Sequence, residues 1–322
     1  MRNALLLVVT LLGASLCSGA DVYPSKPVRI IVPVAAGGNS DLVARTISPQ
    51  LTEQFGRSFV VENRIGASGI IGYGYVARSA PDGYTLLLMD TSFTAIPSLK
   101  KSLPYDPIKD FTPISQTNRS PQVLVVTPAL KVNTLKEFIA LAQANPGKLN
   151  YGSIGVGSST ALWSELFKIA AKVDIAHIPY KGGAETTTAL LGNQVQMQVT
   201  GIPTVLAHIN SGRMRALAVT TDGKRSPSLP DVPSMMEAGL SGMVVYGWHG
   251  LAGPAGLPRE IVNKLHAEVV KAVAVASMKE RFNDQGSELV GSSPEEFTSV
   301  VRNEMQRFAE IIKSAGIVPE EN

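Results

Sequence analysis

The stretch Val28-Arg29-Ile30-Ile31-Val32-Pro33-Val34-Ala35-Ala36-Gly37-Gly38-Asn39-Ser40-Asp41-Leu42 decides the fold. A β-branched run stops at a proline and a glycine pair breaks the chain. Apolar residues then recur at Leu42, Val43, Ile47 and Leu51, close to the helical period. A helix is predicted from Leu42 to about Phe55. Working outward, Phe59-Val60-Val61 reads as a second strand and Gly69 to Ala80 as a glycine-rich helix. Pro81-Asp82-Gly83 reads as a turn and Tyr84 to Met89 as a third strand. Strands and helices that alternate over such short connections imply a parallel sheet with right-handed crossovers.

The middle of the chain repeats this grammar. Strands are predicted at Gln122–Val126, Asn150–Gly152, Ile175–Ile178, Val195–Val199 and Arg215–Val219. Helices are predicted between them at Thr134–Ala144, Ser158–Ala171, Ala184–Leu191 and Pro203–Asn210, with Thr134 as an N-cap. A turn-rich stretch from Thr221 to Pro233 leads to a strand at Val244–Leu251. A helix follows from Pro258 to about Ala274, and a long amphipathic one from Pro294 to Ala315. The expected fold is α/β, with two parallel-type sheets flanked by helices in two lobes around a hinged cleft. Residues 21–121 plus 248–322 form one lobe and 122–247 the other.

The chain of 322 residues is 44% hydrophobic and 17% charged, which excludes wholesale disorder. Its net charge of +3 is scattered, so no nucleic-acid partner is expected. Met1-Arg2-Asn3 precedes an apolar run, Ala4 to Leu12, and small residues follow up to Ser18-Gly19-Ala20. That is the layout of a secretory signal peptide over residues 1–20, with cleavage expected before Asp21 and export to the periplasm. Cys17 is the only cysteine, and the Leu16 before it fits a lipoprotein signal poorly. The exported chain then has no disulfide, thiolate metal site or cysteine nucleophile. No later stretch is long and apolar enough to span a bilayer.

Two places join a strand end, a glycine loop and a helix start: Ala35-Ala36-Gly37-Gly38-Asn39-Ser40-Asp41 and Gly152-Ser153-Ile154-Gly155-Val156-Gly157-Ser158-Ser159. Each leaves main-chain N–H groups unpaired at the positive end of a helix, where an anion binds without needing Lys or Arg. Ser40 or Asp41 is expected to cap the first helix and Ser158 the second. Both loops sit at carboxyl ends of strands, where open α/β sheets bind ligands. If the lobes face each other, the loops converge on one cleft that suits a small carboxylate. Thr91 and Ser92, past the third strand, and Tyr180 and Thr200 in the second lobe join the candidate ligand-binding set.

Other patterns carry less. Gly72-Tyr73-Gly74-Tyr75-Val76-Ala77 imitates a dinucleotide fingerprint, with Asp90 further on, but it falls inside a predicted helix. Neither glycine loop has the Lys of a phosphate loop. His177, His208, His249 and His266 lack metal spacing, and no nucleophile elbow is present. No cofactor, metal or catalytic residue is therefore expected. Glu295-Glu296 complements a helix dipole, Tyr180-Lys181-Gly182-Gly183 reads either as cleft lining or as a turn with an exposed Lys, and Trp248 reads as packing at the hinge.

Taken in order, the motifs resemble the Bug family, the solute-binding receptors of tripartite tricarboxylate transporters. The matching residues are Lys26 to Pro33, Gly37-Gly38 with Asp41 and Ala44-Arg45, Val61-Glu62-Asn63-Arg64 with Gly66, and Ala80 to Leu86. In the second lobe they are Tyr151-Gly152-Ser153 with Gly155, Gly157 and Ser158, and Pro179-Tyr180-Lys181-Gly182. Trp248, Gly250-Leu251 and Gly253 to Gly256 complete the set. The resemblance implies a type II periplasmic-binding-protein fold, a monomer, that delivers a carboxylate to a membrane permease. It further implies that a ligand carboxylate is held by backbone groups and waters at Ala35, Ala36, Gly37, Gly38 and Asp41, and at Ser153, Gly157, Ser158 and Ser159. The chain departs from the family at Val34-Ala35-Ala36, where an aromatic and prolines are common. It departs again at Gln198, Thr200 and Gly201, where many members carry an Asp. Smaller loop side chains would admit a bulkier acid, including an aromatic one. A secreted hydrolase acting on a carboxylated substrate and a ligand sensor for a signalling partner are the alternative readings.

Overall fold

The structure, a computed structural model, describes residues 23–284, 286–314 and 316–320. The signal peptide, its cleavage point before Asp21, Cys17 and the Ala315 end of the last helix lie outside the described residues.

The chain opens with β1 (Val28–Val32), α1 (Asn39–Phe55), β2 (Phe59–Asn63), α2 (Ile70–Ala77), β3 (Thr85–Asp90) and α3 (Thr91–Ala95). The long β4 (Phe111–Val126) leads to α4 (Leu135–Ala144), β5 (Asn150–Ser153), α5 (Ser159–Ala171), β6 (Ala176–Pro179) and α6 (Gly183–Leu191). Then come β7 (Met197–Gly201), α7 (Ile202–Asn210), β8 (Arg215–Val219) and β9 (Tyr246–Pro254). The chain closes with α8 (Arg259–Ala274), α9 (Ala276–Asp284), β10 (Glu288–Leu289) and α10 (Pro294–Ser314).

The expected alternation is present, and the two expected sheets are joined through one strand. The sheet order is β2-β1-β3-β9-β4-β7-β5-β6, with β8 and β10 also on β4. β1 pairs in parallel with β2 and β3, and β5 with β6 and β7. β4 runs antiparallel to β9 as far as Pro121, then turns to β7 and β8 from Gln122 onward. Pro121 has no N–H to give a ladder, which suits the point where the strand changes partners. Two register shifts, between Pro113 and Ser115 and between Gln116 and Asn118, bend the strand before it crosses.

Each half of the sheet is covered on both faces. Val28, Ile30, Val43, Ile47, Leu265 and Val269 fill the layer under α1 and α8, while Ile31, Tyr73, Phe93, Trp248 and Phe297 fill the opposite one. In the second half Phe138, Tyr151, Phe167 and Val199 pack on one face, and Val125, Leu190, Ile202 and Val205 on the other. α10 serves both halves: Phe297 and Val301 pack with Trp248, and Phe308, Ile311 and Ile312 pack with the cluster around Phe167. Trp248 is buried edge-on to Phe297 at 5.4 Å, in agreement with the packing reading. Gly250 is needed there, because a Cβ would stand 2.3 Å from the Phe297 ring and 2.8 Å from the Ser115 carbonyl oxygen. The Gly72 to Ala77 pattern lies on α2, as expected of helix packing.

Candidate functional site: two glycine loops at helix starts

The first loop turns out of β1 with Gly38 N–H donating to the Ala35 carbonyl at 3.2 Å. Gly37 takes φ +80°, a conformation that favours glycine. Ala35, Ala36 and Gly37 are exposed. The helix that follows is capped by neither Ser40 nor Asp41, contrary to expectation: Gly38 is the N-cap and no side chain bonds there. Asp41 turns backwards instead. Its carboxylate accepts from Gly37 N–H, Arg45 Nε and Asn63 Nδ2, each at 2.9 Å, and the residue is buried. Burial pushes its pKa up, but the bonds from Arg45, Gly37 and Asn63 outweigh that and hold it below the usual 3.8. Asp41 thus shapes the loop from behind. Among the described residues no protein acceptor meets the N–H groups of Asn39, Ser40 and Asp41.

The second loop matches its expected cap. Ser158 Oγ accepts from Ala161 N–H at 3.3 Å and also donates to the Gly155 carbonyl at 2.8 Å. Ser153 faces inward: its hydroxyl meets His177 Nε2 at 2.7 Å and the Gly155 carbonyl at 3.0 Å. Ser153 is fully buried, and its bonds to His177 and to the Gly155 carbonyl brace the loop. Burial lowers the His177 pKa, and nearby Lys168 adds to that against the opposing charge of Glu165. Gly157 takes φ +80° and abuts Leu99, whose Cδ1 would lie 2.7 Å from a Cβ. The N–H groups of Val156, Gly157, Ser159 and Thr160 meet no protein acceptor among the described residues.

The two halves touch at these termini. Ser92, in the first turn of α3, meets Ser159 of α5, Oγ to Oγ, at 3.4 Å. Asn39 Nδ2 stands 4.0 Å from where a Gly201 Cβ would sit, next to the start of α7. These contacts join one half to the other near helix starts, and they add Asn39 and Gly201 to the residues that meet. Other expected residues lie behind this front. Thr91 is buried and clamps the Trp248 main chain, its Oγ1 accepting from Trp248 N–H at 2.9 Å. The Tyr180 ring packs over Gly152, while its N–H donates to the Ser153 carbonyl at 2.9 Å. Thr200 is buried, and its hydroxyl pairs with that of Thr204 at 3.1 Å.

Beneath the first loop runs a buried chain that sequence reasoning missed. Ser40 Oγ donates to Asp90 Oδ2 at 2.9 Å, and His249 Nε2 lies 3.2 Å from the same hydroxyl. Asp90 Oδ1 also accepts from Ser92 N–H at 3.0 Å and from the Tyr73 hydroxyl at 3.2 Å. One carboxylate therefore ties the start of α1 to the start of α3. Ser40 has one proton, committed to Asp90, so His249 Nε2–H is the donor and Nδ1 is left as an acceptor. That Nδ1 is buried without a protein partner. Burial lowers the His249 pKa to about 4, against the pull of Asp90, so the ring is neutral at physiological pH. Ser40 and His249 are 209 positions apart, and no local pattern links them. Among the described residues there is no grouping of three or more His, Cys, Asp or Glu fit to hold a metal, and no helix long and apolar enough to cross a membrane.

A mixed α/β sheet that carries, in each half, a glycine loop and a helix start with unmet N–H groups has the build of a solute-binding protein. Residues 43–317 match the family model for the tripartite tricarboxylate transporter family receptor. The chain belongs to that family, and its relatives are periplasmic solute-binding receptors. It is 36% identical to BugT of Bordetella pertussis over 299 residues, covering 92% of this chain and 91% of BugT. R. palustris Rpa4515, solved with adipate, superposes with a TM-score of 0.88 at 36% identity, covering 92% of this chain and all of that one. MatC from Rhodopseudomonas palustris, solved with malate, gives a TM-score of 0.84 at 31% identity, covering 90% of this chain and all of that one.

Proposed function

We propose that this protein is exported by cleavage of its signal peptide and closes on a small carboxylate, which it delivers to the membrane permease of a tripartite tricarboxylate transporter. The lobes that close are 21–121 with 248–322, and 122–247. The protein works as a monomer and without a cofactor. What supports this reading is a helix start with unmet N–H groups in each half, Asn39 to Asp41 and Ser159 to Thr160, with the halves in contact through Ser92 and Ser159. Helix starts of this kind bind anions. Adipate and malate in the two R. palustris proteins support an organic acid as cargo. Closure follows from a ligand that binds the shut form more tightly than the open one.

A thermal-shift screen of mono-, di- and tricarboxylic and aromatic acids tests it. At a hundredfold excess over Kd, a true ligand adds about 2.7 kcal/mol of stability. A rise in melting temperature with one acid, and no product from it, supports the receptor. A screen in which no acid raises the melting temperature, or one in which the bound acid is turned over, overturns the reading.

A further inference from the structure

Away from the glycine loops, at the amino ends of β1 and β3, a groove of about 640 Å³ opens to solvent. Lys26 and Arg78 stand on it, with Tyr75 and Tyr84 among its lining residues. Lys26 Nζ rests 4.3 Å from the Tyr84 ring centre. Arg64 stacks on Tyr75 with its guanidinium carbon 3.5 Å from the ring centre, and Arg29 approaches the same ring at 5.6 Å. Arg29 and Arg64 share one carboxylate, Glu62, at 3.6 and 2.7 Å. The groove's own Asp82 is engaged by the Tyr84 N–H at 3.0 Å. Lys26 and Arg78 are exposed, and neither has an ion pair among the described residues. The surface thus carries an unbalanced positive charge on a floor of aromatic rings.

We infer that this groove is a docking surface for an acidic, extended segment of a protein partner. Three features select that occupant. Lys26 and Arg78 are exposed to water on an open groove, where a single ion pair is worth little. A chain with several carboxylates meets them together. Arg and Tyr are enriched at protein interfaces, and the lining Tyr75 is already held by Arg64 stacked on its ring, so less order is lost on binding. Lastly, the groove lies at the strand ends opposite to the glycine loops, so a docked partner leaves the cargo front free. The inference does not depend on what the cleft holds.

The test is fluorescence anisotropy of a labelled octaglutamate peptide with the purified protein and with its Lys26→Gln/Arg78→Gln variant. Both side chains are exposed, so the melting temperature should not change. Saturable binding is expected at low ionic strength, weakened by salt and about tenfold weaker in the variant. Octaglutamine should not bind. Equal binding to both proteins, or binding of octaglutamine as well, overturns the inference. So does citrate that displaces the peptide at matched carboxylate concentration, which would mean a small-anion site. Capture by phosphatidylglycerol vesicles that needs Lys26 and Arg78 while the peptide fails to bind would mean a membrane surface instead, and also overturns it. A failed peptide assay beside a successful acid screen would leave the cleft reading intact.

Discussion

His249→Gln should flatten the dependence of stability on pH. In the unfolded chain His249 titrates near 6.5, and in the folded protein near 4, because burial outweighs the attraction of Asp90. Between these values the unfolded chain holds a proton that the folded chain rejects. Stability from this group is therefore full above pH 6.5 and drains away as pH falls towards 4. At pH 5 the unfolded chain is almost fully protonated at this site and the folded one hardly at all, which makes the loss about 2 kcal/mol relative to pH 7.5. His177 and His208 also have lowered pKa values, so the parent protein shows a steeper slope than His249 alone produces. The difference between parent and variant isolates the one residue. Urea unfolding at intervals from pH 5 to 7.5 is the assay. The variant should be less stable at pH 7.5, having lost the packing of the buried ring, yet close the gap by about 2 kcal/mol at pH 5. Two parallel curves would refute the reasoning, since they would mean that the buried ring takes a proton in the folded state.

Asp41→Asn should cost about 2 kcal/mol at pH 7 through its bonds to Gly37 and Asn63, with nothing counted for the water-exposed Arg45. The lowered carboxyl pKa makes that stability present at neutral pH and lost as pH falls below about 4, so melting curves of parent and variant should converge in acid. Gly38→Leu should leave the circular dichroism spectrum unchanged and abolish acid-induced thermal stabilisation, because the new side chain starts 3.2 Å from the Ala35 carbonyl oxygen at the rim of the loop. Lys181→Ala should leave affinity within about twofold, since Lys181 contributes only its N–H, given to Glu185, and exposed charges contribute little. Complete loss of binding in Lys181→Ala would show that a side-chain cation anchors the acid.

Where local periodicity and capping chemistry decide an element, the sequence is legible. Thr134 caps α4 by accepting from Glu137 N–H at 3.1 Å, and β8 has its predicted bounds. The first two thirds of β4 were not legible. Ser115, Gln116, Thr117 and Asn118 are all buried in the middle of the sheet, where a hydropathy pattern expects apolar residues. They are tolerated because distant partners satisfy them: Ser115 donates to the Ser292 carbonyl at 2.8 Å and Thr117 to the His249 carbonyl at 3.1 Å. Such partners are invisible to any window of sequence. For the same reason the positions of the glycine turns are legible in the sequence while the residues that support them are not. A glycine-rich strand-to-helix turn is a local signal, whereas Asp90, Ser40 and His249 meet only through β3, α1 and β9. The family resemblance implies a ligand-binding role for Asp41. Its carboxylate is consumed behind the loop by the Gly37 N–H, a bond that folds the chain back on itself.

The residues that meet at the front, Asn39, Ser92, Ser159 and Gly201, are all uncharged. A helix start carries about half an elementary charge, so α1 and α5 together present the equivalent of about one cation. Holding an acid with a buried arginine would first require that the arginine be stripped of water, at several kcal/mol, and would leave an unpaired charge each time the cargo departs. On the proposed reading, main-chain N–H groups at helix starts carry no such debt, because water can satisfy them once the cargo departs. If both starts act on one ligand, as proposed, the attraction selects anions, because the positive ends of both dipoles meet it. A receptor that has to release what it holds gains from this arrangement, since the empty state is not a strained one.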